Sequence, residues 1–326
     1  MTNNNNNIRV NEGTENTESF VGTQLHQGNK KFINQGYVYA QCAIVALGMT
    51  QFGNYVAQFG TIQVVFGYLL SWEGRDATLY PSLVTTVGNV GAIVGSLIAP
   101  YLMQKGKRKA IILLDALIVI SLAVTAFMPQ IVMPVHIVAK FFQGIAGGAV
   151  TAVCPTMINE FAPIEMAGVL GGFNQVFAAI GFLLSSLLAL PIPGEIALTT
   201  KAEDPSYADE FIVSDYWRII QFAPAVIAMF QIIMLMTCFN YESPVELKAQ
   251  DRETELLQVM NKIYKNGPEA SFRIGQLKTG QSNDPEERKV GYWDVLTDSK
   301  YQSHFCWNHL DELCPVLWNQ RCHAIL

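Results

Sequence analysis

Six long stretches of this chain are almost free of charge, and each is long enough to cross a lipid bilayer. They run over Tyr37–Val65, Leu79–Met103, Ala110–Met128, Met133–Pro155, Val169–Leu190 and Trp217–Asn240. A helix rises about 1.5 Å per residue, so roughly 20 residues traverse about 30 Å of hydrocarbon. Lipid offers no partner for backbone N–H and C=O groups, so each stretch is expected to be helical. Strands of a membrane barrel would be about ten residues long and would alternate in polarity. The overall composition agrees: 50% of residues are hydrophobic and 15% charged, against about 25% charged in soluble domains. The expected fold class is an all-α membrane protein, a six-helix bundle with cytoplasmic amphipathic helices.

Lysine and arginine set the orientation. With the N-terminus inside, the inner segments carry Lys30, Lys31, Lys105, Lys107, Arg108 and Lys109, and many more after the sixth stretch. The outer segments carry Arg75, Lys201 and, at the rim, Arg218. The expectation is a multi-pass protein with a cytoplasmic N-terminus. A short outer turn around Pro129 makes a hairpin of the third and fourth helices. Pro191–Asp215 forms an acidic outer loop. Residues 1–35 are polar and Asn-rich, without the basic-then-apolar pattern of a signal peptide, and read as a disordered tail.

Small residues recur inside the spans. Gly91 and Gly95 have G-xxx-G spacing, Gly144, Gly147 and Gly148 cluster in the fourth span, and Gly168, Gly171 and Gly172 open the fifth. Such residues let membrane helices approach closely. Gly147 and Gly148 are not a nucleotide loop, since no strand precedes them. After the sixth span, Ser243, Pro244 and Glu246 form a helix start of the capping-box type. Leu256, Val259, Met260 and Ile263 follow at helical spacing. Cys42, Cys154 and Cys238 lie in apolar stretches and read as small hydrophobes, not as a disulfide framework.

Four motifs, in order, resemble the sugar porter branch of the major facilitator superfamily. The strongest is KFFQGIAGGAVTAVCPTMINEFAPIEMAGVLGGFNQVFAAIG at 140–181, where Pro155, Glu160, Ala162, Pro163, Gly168, Gln175 and Gly181 fall in register. The others are ESP at 242–244, QFG at 51–53 and GKRK at 106–109. The resemblance runs from about residue 45 to residue 300. The resemblance implies the N-terminal half of a twelve-span fold, with a sugar bound between two six-span halves near the midplane. The domains expected are a tail at 1–35, the bundle at 36–240, a cytoplasmic helical linker at 241–300 and an atypical tail at 301–326.

The resemblance also nominates residues. Gln175 matches the family's sugar-binding glutamine, and an amide both donates and accepts; the alternative is a helix–helix hydrogen bond. Phe52 is an aromatic candidate for the same site, or a core or lipid-facing ring. Lys140 stands where the family carries arginine, and either faces a cavity or snorkels outward. Proton-coupled relatives have an aspartate at the position of Tyr55, and the first span contains no acid. Facilitated diffusion is therefore expected over proton symport. For a cytoplasmic gate, Glu160 is expected to pair with Lys107 or Arg108. The family's arginine seven residues after Glu160 is Ala167 here, and its acid before the GKRK turn is replaced by Met103 or Gln104.

The expected partners are a small sugar, hexose by default, and the bilayer, with a C-terminal half or a second copy needed to complete the cavity. No cofactor, metal or nucleic acid is expected, and the plasma membrane is the expected location. In the tail, His304, Cys306, His309, Cys314, Cys322 and His323 are zinc-ligand types in no common closed spacing. A change of reading frame or a truncated gene model is the favoured account of that tail. Two other readings stay open: a fragment that does not transport, and a membrane sensor that binds sugar. No span carries the repeated arginines of a voltage sensor, and no nucleophile–base set indicates an enzyme.

Overall fold

Each charge-poor stretch forms one helix in the computed structural model, which describes residues 33–70, 72, 74–128, 132–192, 216–265 and 267–276. The helices are α1 (Gln35–Leu69), α2 (Asp76–Met103), α3 (Lys107–Ala126), α4 (Met133–Phe161), α5 (Ala167–Leu188) and α6 (Tyr216–Thr237). Three short helices follow: α7 (Pro244–Ala249), α8 (Glu253–Ile263) and α9 (Gly267–Gln276). The Pro129 turn, most of the Pro191–Asp215 loop, nearly all of the N-terminal tail and the 301–326 tail lie outside the described residues.

Five helices, α2 to α6, are long and apolar enough to cross a membrane. The first helix has the length but not the hydropathy. Gln41, Gln51, Asn54 and Gln58 dilute it, and all four are buried against other helices rather than offered to lipid. Pro163 ends α4, and the 3-10 turn Ile164–Met166 leads into α5.

The pairs α2–α4 and α1–α5 are in the most extensive contact, while α3 lies against α4 and α6. Glycine explains the closest of these. A Cβ on Gly144 or Gly148 would fall onto the carbonyl oxygens of Gly88 and Ala92, and one on Gly91 or Gly95 onto those of Phe141 and Ile145. Backbone therefore lies directly on backbone. Gly53 and Gly181 play the same part between α1 and α5. Gly168, Gly171 and Gly172 do not. A Cβ there would meet nothing within 4 Å, so these three mark no helix contact in this unit.

The short helices close the charged end of the bundle. Leu256, Val259, Met260 and Ile263 of α8 are buried, as their spacing predicts. The Asn34 amide donates to the Ile263 carbonyl at 2.7 Å, tying the start of α1 to α8. Ser243 caps α7, its Oγ accepting from the Glu246 amide at 3.2 Å. The reciprocal half of the capping box is redirected: the Glu246 carboxylate is engaged by Gln250 Nε2 at 2.7 Å and faces Lys107. Ser243→Ala is expected to cost about 1 kcal/mol, the usual value of an N-cap. Thermal unfolding in detergent reads this, and an unchanged melting point would show that the hydroxyl contributes nothing.

Candidate functional site

The interior of this bundle is unusually polar along one stripe. Gln51, Asn54 and Gln58 recur at i, i+3 and i+7 on α1, so they share one face. All three are nearly inaccessible, at 3%, 3% and 2%. With Tyr55 they line a recess whose other walls are Ile118 and Leu122 of α3, Gln143 and Gly147 of α4, and Pro224 of α6.

Pro224 explains one part of the stripe. Proline has no N–H, so in α6 it leaves the carbonyl four residues earlier without its helical donor. That carbonyl is Ile220, and Gln58 Nε2 donates to it at 3.2 Å. Gln58 also reaches the Gln221 carbonyl at 3.1 Å. Gln221 Nε2 in turn donates to Thr125 Oγ1 of α3 at 2.8 Å. An amide of α1 thus repairs a gap in α6, and Gln221 carries the network on to α3. Other buried polar atoms meet no protein partner among the described residues: both amide atoms of Gln51 and Oδ1 of Asn54 in the recess, and Oε1 of Gln221 on α6. A buried polar atom left unpaired costs about 1–3 kcal/mol, so these atoms are suited to a bound water.

Lys140 does not snorkel. It is 7% exposed, and its ammonium donates to the Tyr55 carbonyl at 3.0 Å. The same nitrogen stands 4.3 Å from the centroid of the Tyr55 ring, a cation–π geometry. The Tyr55 hydroxyl lies where a side chain on Gly88 would fall. The residue pair that the family resemblance aligns with aspartate and arginine is thus a tyrosine holding a lysine.

Gln175 and Phe52 are not brought into the recess. Gln175 is exposed on α5, on a face that carries exposed Val176, Ile180, Phe182 and Leu183. Phe52 is half-buried against the apolar core, its ring opposite Gly147. Gln175 makes no helix–helix hydrogen bond among the described residues, so that alternative finds no support.

The charged residues converge at the other end. Lys107 Nζ lies 3.0 Å from Glu160 Oε1 and 3.5 Å from Glu246 Oε2. It is buried rather than solvated. Arg108 turns away from Glu160. Its Nη1 donates to the Leu235 carbonyl at 3.2 Å and to Asn240 Oδ1. Its Nε lies 3.7 Å from Glu242 Oε1, and its backbone N–H donates to Glu242 Oε2 at 3.0 Å. Gly106 makes room for this. Its φ of 114° suits glycine, and a Cβ there would sit 2.9 Å from Glu242 Oε1. The loop between α2 and α3 is thereby clasped to α4, to the end of α6 and to α7.

Sequence reasoning singled out Gln175, Phe52 and Lys140 but missed the α1 stripe. Its signal was present in the i, i+3, i+7 spacing of three amides within a charge-free run. Asp115, an acid inside an apolar span, was also passed over.

The family model described as "Sugar (and other) transporter" matches residues 37–307. The chain is 28% identical over 277 residues to Hexose transporter 1 of Toxoplasma gondii, covering 81% of this chain and 47% of that protein. It is 27% identical over 271 residues to Plastidic glucose transporter 4 of Arabidopsis thaliana, covering 82% and 44%. The chain therefore spans about half the length of these curated relatives. Its fold is similar to the xylose transporter XylE from E. coli in a partially occluded inward-open conformation. The TM-score is 0.62 at 19% identity, over 74% of this chain and 57% of that one.

Proposed function

This chain belongs to the sugar transporter family of the major facilitator superfamily, and from that premise we propose that the whole protein moves a sugar, a hexose by default, across a membrane by alternating access. Residues 36–240 supply the N-terminal half of the pathway, and a second six-helix half supplies the rest. The chain is a transporter component and not an enzyme.

One observation carries this reading. Gln175 stands in register with the family's sugar-binding glutamine on an α5 face that nothing in the described bundle covers. An amide held against lipid would lack hydrogen-bond partners. Facing a hydrated cavity between two halves, it can donate to one hydroxyl and accept from another. Phe52 and Lys140 remain the further substrate-contact candidates of this half, to be reached only if the helices around them part. The Lys107–Glu160–Glu246 and Arg108–Glu242 contacts serve as the cytoplasmic gate, with the N-terminus on that side and the plasma membrane as the location.

Transport by facilitated diffusion is the mode we favour. No aspartate or glutamate lies in Gln35–Leu69, and Lys140 rests on Tyr55 where proton-coupled relatives carry an aspartate. In a full-length form reconstituted in vesicles, Gln175→Ala is expected to lower sugar uptake about tenfold, the worth of one hydrogen bond of about 1.4 kcal/mol. Unchanged uptake by the variant would remove Gln175 from the site. With the pH held constant on the Lys107–Glu160 side, removing the proton gradient is expected to leave wild-type uptake unaltered, and a matching collapse of uptake would establish symport instead.

A further inference from the structure

Asp115 takes no part in anything described so far. It lies within α3 at 0% exposure, and neither of its carboxyl oxygens meets a hydrogen-bond donor among the described residues. The nearby cations are committed elsewhere. Lys107 sits with Glu160 and Glu246, Arg108 with Glu242, and Lys140 on Tyr55. Arg218 donates to the carbonyls of Ala126 and Met128 at the far end of α3.

Helical spacing gives the carboxyl its direction. Asp115, Ile118 and Leu122 stand at i, i+3 and i+7, and the last two line the amide recess. Asp115 therefore lies on the recess face of α3, one turn nearer the Lys107 end. Among titratable groups on the helices packed around it, the Cys154 thiol of α4 lies within electrostatic reach. The one charged residue of α6 is Arg218, at the opposite end, and that of α2 is Asp76, also at the opposite end. The first helix carries no Lys, Arg, Asp or Glu, and its titratable groups are Cys42 and tyrosines.

A lone carboxylate in such a place would lack both a counter-charge and hydrogen bonds. Isolated buried charges of this kind neutralise instead. No cluster of three metal-ligating side chains exists among the described residues to recruit a metal ion. What remains is the smallest cation. We propose that Asp115 is a proton-binding site of this bundle, filled in the folded chain, whose proton exchanges with the side bearing the Lys107–Glu160 cluster and gates the loosening of that end. The access side follows from distance. Arg108 is about 10 Å away along the helix and Ala126 about 16 Å, at about 1.5 Å per residue. Release of the proton creates a buried charge that only entering water can stabilise. Ionisation and the opening of the seam between α3, α4 and α6 are then one event. A proton exchanging with a single side is not carried across, so the site is compatible with facilitated diffusion.

The decisive measurement is the infrared carboxyl C=O band of the full chain in lipid nanodiscs at neutral pH. A protonated band is expected that shifts when aspartate is labelled with carbon-13 at its carboxyl. The band is expected to vanish in Asp115→Asn, whose neutral side chain should preserve wild-type elution and melting. A wild-type spectrum without a label-sensitive band overturns the proposal whatever the variant does. A band that survives Asp115→Asn assigns the proton to another aspartate and overturns it equally. The gating role rests on the transport reading and has its own arm. Uptake by the full-length wild type is expected to vary with pH on the cluster side, and uptake by Asp115→Asn to lose that variation. Identical profiles would overturn the gating role. The infrared result needs no sugar, so its failure is distinct from a failure of the transport reading.

Discussion

Arg108→Ala is expected to cost the folded protein about 3–5 kcal/mol, the range seen when one partner is removed from a buried ion pair. Glu242 is 5% exposed. Without the guanidinium its carboxylate keeps one backbone donor and loses its counter-charge. Two further groups lose a partner in the same step. Leu235 offers one of the last carbonyls of α6, which have no donor within their own helix, and Arg108 supplies one. Asn240 loses the donor to its side-chain oxygen. Arg108→Lys keeps the charge but not the fork that reaches several acceptors at once, so it is expected to recover only part of the loss. Thermal unfolding of the purified chain in detergent, followed by tryptophan fluorescence, measures both. If Arg108→Ala melts with wild type, the clasp between α3 and α6 contributes nothing and the packing of α7 to α9 needs another cause.

The second large effect is expected at the α2–α4 crossing. Gly148→Leu would place its first side-chain carbon on the Ala92 carbonyl. The obstacle is backbone, not the tip of a flexible side chain, so the helices must separate. Overpacking a well-filled interior costs about 1–3 kcal/mol and occasionally more. Here the separation would also undo the neighbouring contacts of Gly88, Gly91, Gly95 and Gly144. The expected result is loss of the monodisperse peak in size-exclusion chromatography, with Gly148→Ala intermediate. Gly172→Leu provides the contrast, since open space surrounds that position, and it should elute as wild type. Equal behaviour of Gly148→Leu and Gly172→Leu would mean that the crossing is looser than its geometry.

The sequence disclosed the helices and hid their faces. Charge-poor length is a property of one segment, so α2 to α6 could be read off directly, as could the Ser243 cap and the buried side of α8. Which glycine meets another helix depends on how the helices rotate about their axes. Gly91 and Gly95 lie at a crossing while Gly168, Gly171 and Gly172 lie on an open face, although all five look alike in sequence. The same reason hid the direction of Lys140. An outward path and an inward one are equally open to a long side chain until Tyr55 is seen beside it. Gln51, Asn54 and Gln58 share a face by their spacing, but spacing alone does not show that this face is buried against other helices. The motif around Gln175 drew attention to α5 instead. The two sites differ in kind: the stripe is enclosed within this half, whereas Gln175 lies on its outer surface.

Proline within a membrane helix ordinarily creates a place to bend, because one rung of the backbone ladder is missing there. In α6 the rung is missing at Pro224, yet the orphaned oxygen of Ile220 is gripped from outside by Gln58. A flexion of α6 at that level would have to drag α1 with it or break the grip. The joint is splinted, and its mechanical consequence is that these two helices travel together. Any rocking motion of this half is then expected to pivot at its margins, as a block, and not to flex through its middle.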